Sequence, residues 1–402
     1  MDGNASVEHA LRGAAPHQLV DVVTAALKEQ YGASSVELYI ADYAMRSLQP
    51  VGAPQGEATS LALHDSPEGR AFGAQEPHVV PCPPGRVTVH LPVTVRGDRT
   101  GVLSVAVPED RLTDEVLGDL DILCTALGHE IQVAERDTDL FQMARRATRL
   151  TLAAEMQWQL LPGRACSRSE FTLGGHLEPA YAIFGDNFDW AVSPETLTLS
   201  VTNGMGDGIE AALLTSLAVN ALRNARRAGL GIADQAALAD QALYGQYGGS
   251  RYLSVLLMEL HLGTGEMDVV EAGSPWVLRM RDGAVEPLAF DAQLPLGMFE
   301  ETPYVTERLS LRAGDRLLIT SDGVDGAVSP TGETYGEQAL ARSLAASRML
   351  PAPQVPGALL HALTGHRGSG PLEDDALVVC LDWHGRVDHG AHPQPAPVRS
   401  LG

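Results

Sequence analysis

Cysteine is scarce in this sequence. Four cysteines occur in 402 residues, and no two of them form a CxxC pair; they are Cys82, Cys124, Cys166 and Cys380. This spacing argues against a zinc ribbon or a thioredoxin-type motif, and the length argues against a small scaffold held by disulfides. Isolated cysteines predict a reducing compartment.

Long hydrophobic runs are also missing. No uncharged run reaches the ~18 apolar residues that a membrane span requires. The first residues, Met-Asp-Gly-Asn-Ala-Ser, lack the basic and apolar regions of a signal peptide. Together these absences predict a cytoplasmic protein.

Positive charge is sparse. The chain has 28 Lys and Arg against 51 Asp and Glu, a net charge of −23. A field of that sign repels phosphate backbones and anionic lipids unless a basic patch overrides it. The densest basic clusters, 145–149 and 223–227, hold only three arginines each. Neither nucleic acid nor a membrane surface is expected as a partner.

What the sequence does have is enough apolar residues, 45%, for two domains with their own cores. Residues 1–135 predict a small helix-and-sheet domain, with a helix at 17–30 and strands at 36–43, 87–95 and 101–107. The segment 53–84, rich in proline, glycine and charge, is a long excursion with one short helix near 67–72, and it either carries a ligand pocket or fills a sheet edge.

A proline-free stretch follows, from Thr113 to Leu161. It predicts either one helix too long for a single domain or two helices with a break near 136–138, so residues 136–162 are interpreted as a helical connector. Five residues share one apolar seam: Leu120, Leu123, Leu127, Ile131 and Ala134. Either the N-terminal domain or a second copy of the chain must cover it, and we favour a homodimer through this connector helix.

Residues 163–384 predict a second domain in which short strands surround helices. The predicted strands are 171–177, 187–192, 196–201, 253–262, 266–272, 276–281, 304–309, 316–321 and 376–383, and the predicted helices are 208–227, 233–243, 336–347 and 356–363. This pattern favours an α+β fold in which sheet packs on sheet with helices outside. The tail, 385–402, rich in proline, histidine and glycine, is predicted to be disordered.

Common enzymatic signatures such as GxxxxGK[ST], GxSxG and HExxH do not occur. Acidic residues lie instead at predicted strand ends, in the segments 185–189, 202–208, 321–323 and 373–375. Hard divalent cations prefer oxygen ligands, and two of them clamped by shared carboxylates activate water for displacement at phosphorus. Each segment alone is more typical of an ordinary turn than of a metal site.

Seven motifs in order give these acids a context: 154–162 (AEMQWQLLP), 185–189 (GDNFD), 272–275 (AGSP), 294–297 (LPLG), 311–318 (LRAGDRLL), 320–324 (TSDGV) and 374–375 (DD). From Ala153 to Trp383 the chain resembles the metal-dependent PPM-type (protein phosphatase 2C) family. The similarity is to the bacterial branch of sporulation and stress-response phosphatases that act on anti-sigma antagonists. Residues 1–135 are more weakly similar to a GAF sensor domain.

The resemblance implies an αββα sandwich of two antiparallel sheets flanked by helices. It implies a protein serine/threonine phosphatase acting on a phosphorylated regulatory protein through two Mn²⁺ or Mg²⁺ ions. The catalytic residues would be Asp186, Asp322 and Asp374, and these acids would bind metal together with Asp375 and the Gly204 carbonyl.

Asn203 departs from the family pattern, which has an Asp that bridges both metals at this position. An amide can ligate one cation but brings no charge and bridges poorly. Asp207 stands in place of a frequent His and could return some charge, and Leu377 replaces a common Thr or Ser. The alternative hypothesis is therefore a catalytically weak or inactive phosphatase fold that binds a partner.

Overall fold

Two structural units make up the chain: Met1–Cys166 with His176–Glu178, and Ser167–Gly175 with Pro179–Gly402. The computed structural model describes residues 2–52, 59–63, 65–147, 149–179, 184–273, 276–368 and 372–386. Residues 387–402, most of the predicted disordered tail, lie outside the described part. Within the described ranges no helix is both long and apolar enough to cross a bilayer.

The first unit is built on one antiparallel sheet with the strand order β3-β2-β1-β6-β5-β4. Its strands are β1 (Ser35–Ala41), β2 (Ser47–Pro50), β3 (Leu61–Ala62), β4 (His78–Cys82), β5 (Arg86–Val95) and β6 (Asp98–Pro108). Its helices are α1 (Asp2–Gly13), α2 (Leu19–Tyr31), α3 (Pro67–Ala74), α4 (Asp114–Ala134), α5 (Leu140–Ala144) and α6 (Leu152–Leu160). The predicted helix-and-sheet organisation is confirmed, while β2, β3, β4 and α1 were not predicted.

The apolar seam of α4 is covered by its own domain. All five seam residues are buried in one core with the inward-facing residues of β5, such as Val89 and Leu91. Gly128 allows this close packing, because a Cβ at that position would lie 2.8 Å from Val95 Cγ2. The preference for a second chain on this seam is therefore wrong, and the seam no longer argues for a homodimer.

The helical stretch breaks where the two-helix alternative placed it. Thr113 caps the start of α4 by accepting a hydrogen bond from the Val116 N–H, at 3.3 Å. After Ala134 the chain turns, and α5 brings Phe141, which is fully buried, into the same core. Burial of Phe141 requires the chain to fold back, so a single continuous helix cannot form.

The excursion at 53–84 includes α3, β3 and β4, while residues 53–58 and 64 lie outside the described part. Ser66 caps α3 by accepting from the Gly69 N–H at 2.9 Å. Phe72 of α3 is buried with Tyr39, Leu48 and Val102 on the sheet face opposite α4. The short helix predicted in this segment is confirmed, and a ligand pocket there stays a prediction.

The second domain contains two antiparallel sheets, with strand orders β15-β12-β11-β10-β9 and β14-β13-β16-β17-β8-β7. The strands are β7 (Ala165–Ser167), β8 (Phe171–Glu178), β9 (Asn187–Val192), β10 (Thr196–Gly204), β11 (Leu253–His261), β12 (Glu266–Ala272), β13 (Trp276–Arg281), β14 (Ala284–Leu288), β15 (Glu307–Ser310), β16 (Arg316–Thr320) and β17 (Ala376–Trp383). The helices are α7 (Gly208–Arg227), α8 (Ile232–Tyr247), α9 (Asp322–Asp325), α10 (Gly336–Ala346) and α11 (Val355–Arg367).

Helix pairs cover the outer faces of this sandwich. Helices α7 and α8 share a core with β11 and β12, and α10 and α11 share one with β13, β16 and β17. The sheets meet closely at Gly175, where a Cβ would lie 2.6 Å from the ring of Phe188. The predicted αββα fold is confirmed; β14 and α9 were not predicted.

His176, in β8, is buried within the first unit, and burial followed by the charge of Arg164 lowers its pKa to about 3. The ordinary value is about 6.5, so the folded protein holds this imidazole neutral. The stabilisation is complete above pH 6.5 and is lost as pH falls from there toward 3.

We expect the wild-type protein to lose up to about 1.4 kcal/mol per pH unit below pH 6.5 through this group alone. His176→Gln should remove that loss, as measured by urea unfolding at pH 7.0 and 5.5. His129→Gln, at an exposed position of α4, is the matched control and should keep the wild-type pH dependence. Equal acid sensitivity in the two variants would contradict the argument.

Candidate active site

The acidic residues singled out in the sequence lie at strand ends of both sheets. Asp186 directly precedes β9 and Asn203 lies near the end of β10, and these antiparallel strands pair Asn187 with Thr202. In the other sheet, Asp322 follows β16 and Asp374 and Asp375 precede β17. These strands are also antiparallel neighbours. Each sheet therefore gathers its acidic segments at one end.

Hydrogen bonds join the two sheet ends. One carboxylate oxygen of Asp375, Oδ2, accepts the backbone N–H groups of Phe184, Gly185 and Asp186, at 3.0, 3.1 and 3.4 Å. The Asn203 side-chain amide donates to Asp322 Oδ1 at 2.7 Å. The four strand-end segments thus come together in the folded chain.

Glycines allow these segments to approach. A Cβ on Gly323 would lie 2.0 Å from the carbonyl oxygen of Asp375, so the turn after β16 sits directly against the start of β17. Thr215 of α7 donates to the Gly185 carbonyl at 2.7 Å, and a Cβ on Gly204 would lie 2.6 Å from the same hydroxyl oxygen. Thr215 was missed in the sequence, where it is one polar residue on an amphipathic helix.

The acids perturb one another electrostatically. Burial raises the pKa of the fully buried Asp186 well above its usual value, with repulsion from Asp375 as the next cause and a hydrogen bond from Ser321 opposing the shift. Burial and then repulsion from Asp322 raise the pKa of Asp374 to about 6. A cation placed among these carboxylates would remove the cause of their repulsion.

The donor chemistry fits a hard divalent cation in part. Asp186, Asp322 and Asp374 offer carboxylate oxygens and Gly204 a backbone carbonyl, the ligands that Mg²⁺ and Mn²⁺ prefer. As the described residues stand, however, no three His, Cys, Asp or Glu side chains are arranged to hold one ion. Asp375 is engaged with backbone N–H groups, and Asn203 is bonded to Asp322.

Two other departures from the family pattern have a clear place in the structure. Asp207, expected to return charge near Asn203, is exposed just before α7. Leu377 is fully buried in β17, and its N–H donates to the Ser321 hydroxyl at 3.0 Å. Leu377 therefore contributes its backbone to the site and its side chain to the core.

The two-sheet sandwich with acidic segments at its strand ends resembles a phosphatase domain of the PP2C type. Residues 193–384 match the family model described as Stage II sporulation protein E (SpoIIE). The chain is also 27% identical over 135 residues to phosphoserine phosphatase RsbP of Bacillus subtilis (strain 168), an alignment that spans 33% of each protein.

Solved structures similar to the chain include two from bacteria. The SiaA-PP2C domain of Pseudomonas aeruginosa matches with a TM-score of 0.47 and 21% identity, over 52% of this chain and 85% of that one. The PP2C phosphatase domain of SpoIIE from Bacillus subtilis, with a fragment of its regulatory domain, matches with a TM-score of 0.48 and 18% identity, over 55% and 66%.

Gly323→Ala should disrupt the junction between the two strand ends. The added methyl group meets backbone, which cannot move aside cheaply, so we expect a loss of roughly 1–3 kcal/mol, or roughly 2–4 °C in melting temperature per kcal/mol. Gly357→Ala in α11, where nothing lies within 4 Å of the added Cβ, is the control and should be neutral or stabilising. Calorimetric melting curves that shift equally in both variants would contradict this account.

Proposed function

We propose that the chain is a metal-dependent protein serine/threonine phosphatase acting on a phosphorylated regulatory protein, such as an anti-sigma antagonist. The observation that carries the proposal is the meeting of Asp186, Asp322, Asp374 and Asp375 at the strand ends. The match to the SpoIIE family and the similarity to a phosphoserine phosphatase support it. The chain spans one third of that relative's length.

In this proposal Asp186, Asp322 and Asp374, with the Gly204 carbonyl, hold Mn²⁺ or Mg²⁺. When bound, two such ions supply an activated water and neutralise charge on the phosphoryl oxygens. Asp375 orients Asp186 by holding the backbone of residues 184–186. Because Gly185 and Gly204 have no side chains, no Cβ atom fills the space beside Thr215. The backbone carbonyls of these two glycines therefore lie at the site.

The substrate in this proposal is a protein rather than a small phosphoester. Three large apolar side chains are exposed where β10 leads into α7: Met205, Ile209 and Leu213, at 42%, 47% and 49%. Met205 directly follows Gly204 in sequence, and Ile209 and Leu213 lie in the first turns of α7. A partner protein can cover apolar surface of this kind.

We further propose that residues 1–135 form a GAF-like sensor domain, 136–162 a connector and 163–384 the phosphatase domain. The six-stranded sheet flanked by helices supports the first assignment. The succession of α5 and α6 after the break at Ala134 supports the second.

The alternative function is a weak or inactive phosphatase fold that binds a phosphoprotein without turnover. One observation favours it: Asn203 donates to Asp322 Oδ1 and so occupies an oxygen that a cation would otherwise use. A metal ion must break this bond to reach Asp322 fully, which lowers its net affinity.

Metal titration separates these functions. We expect calorimetry of the full chain with Mn²⁺ to reveal two sites, and hydrolysis of a phosphoserine peptide to require Mn²⁺ or Mg²⁺ and stop with chelator. Asp322→Asn should abolish both binding and hydrolysis, because it removes a charged ligand. Metal binding without hydrolysis of the peptide or of an aryl phosphate would favour the alternative, and no metal binding at all would refute the enzyme proposal.

Asn203→Asp should raise Mn²⁺ affinity by more than about 10-fold and increase turnover. A carboxylate at 203 cannot donate to Asp322 and adds the negative charge that offsets the repulsion between two cations. Asn220→Asp adds the same charge at an exposed position of α7 and should change neither quantity. If Asn203→Asp leaves affinity and turnover unchanged, residue 203 is not the bridging position.

A further inference from the structure

Arg251 lies beside the turn that carries Asn203 and Gly204. The β10–β11 ladder pairs Gly204 with Leu253, and the Met205 N–H continues it with a long bond to the Tyr252 carbonyl at 3.4 Å. A Cβ on Gly206 would lie 2.7 Å from a guanidinium nitrogen of Arg251. The glycine therefore leaves room for the guanidinium to lie over this turn, which directly follows Asn203 and Gly204 in sequence.

The charge of Arg251 matters because the strand-end acids repel a phosphate group. A phosphomonoester is anionic, and an arginine fork that donates two N–H groups suits its oxygens better than a single ammonium group does. Three other arginines of the second unit are paired with well-buried aspartates: Arg223 and Arg226 with Asp189, and Arg281 with Asp315.

The acidic partner of Arg251 is more easily displaced than these buried aspartates. It forms an ion pair with Glu210, in the first turn of α7, whose side chain is 62% exposed. Exposed pairs of this kind contribute only about 0–1 kcal/mol. An anion with two or more negative oxygens can therefore displace Glu210 from the guanidinium at little cost.

We propose that Arg251 recognises the phosphoryl group of the substrate, and that Glu210 holds the guanidinium in place and competes with the phosphate until the substrate binds. This rests on the proposed phosphatase function and adds to it a substrate-binding residue outside the metal-ligand set. Arg251 accordingly governs affinity for phosphate rather than affinity for metal.

Two measurements on the full chain test this role. One is calorimetric binding of inorganic phosphate in the presence of Mn²⁺, and the other is kcat and KM for a phosphoserine peptide. Arg251→Ala should raise the phosphate Kd and the KM roughly 10- to 100-fold, the loss expected for charge-assisted hydrogen bonds, with a smaller change in kcat and unchanged Mn²⁺ affinity. Arg251→Lys should be intermediate, because it keeps the charge without the fork. Glu210→Gln should lower both constants.

The matched control is Arg279→Ala, which breaks a comparable arginine–glutamate pair with the exposed Glu286 on the β13–β14 hairpin. It should change neither constant. Phosphate binding by Arg251→Ala at wild-type strength would overturn the proposal, as would a wild-type chain that binds no phosphate, or a Glu210→Gln variant that binds it more weakly. If the wild-type chain binds phosphate but hydrolyses nothing, the phosphatase proposal fails, and the phosphate titration still decides the role of Arg251.

Discussion

The site depends on one carboxylate that serves as a structural anchor. Asp375 lies at the end of one sheet and accepts hydrogen bonds from the backbone N–H groups of residues 184–186 at the end of the other. Three donors converging on one buried charged oxygen position Asp186 and leave that side chain close to like charges. The anchor thus creates the electrostatic repulsion that makes the site suited to cations.

The crowding of carboxylates also explains why the side-chain amide of Asn203 matters at this site. The Asn203 side chain places an amide donor among these acids, and an amide can bond a carboxylate without metal. Under the proposed function, the 2.7 Å bond to Asp322 would stabilise the metal-free arrangement and oppose metal entry. Stability and metal affinity would then be in conflict at this position, as often happens at functional sites.

The first unit follows a different rule, because burial rather than charge decides its organisation. The apolar seam of α4 packs on its own sheet, where Gly128 permits close contact with Val95. Phe141 then draws the following helix back into that core. The apolar surface proposed for contact with a partner lies instead where β10 leads into α7, after Asn203 in sequence, where Met205, Ile209 and Leu213 are exposed.

Alternation and helical periodicity in the sequence determined most strands and helices, the sandwich architecture and the acids at strand ends, because these features depend on local pattern and on the order of motifs. Short edge elements such as β3 and β14 carry too little pattern to be predicted. Tertiary structure alone decided which face covered the α4 seam, that Asp375 binds backbone, that Asn203 donates to Asp322, and that Arg251 reaches the turn at Gly206. Each of these contacts joins segments that are far apart in the chain. No single segment of the sequence specifies which distant segment will pack against it.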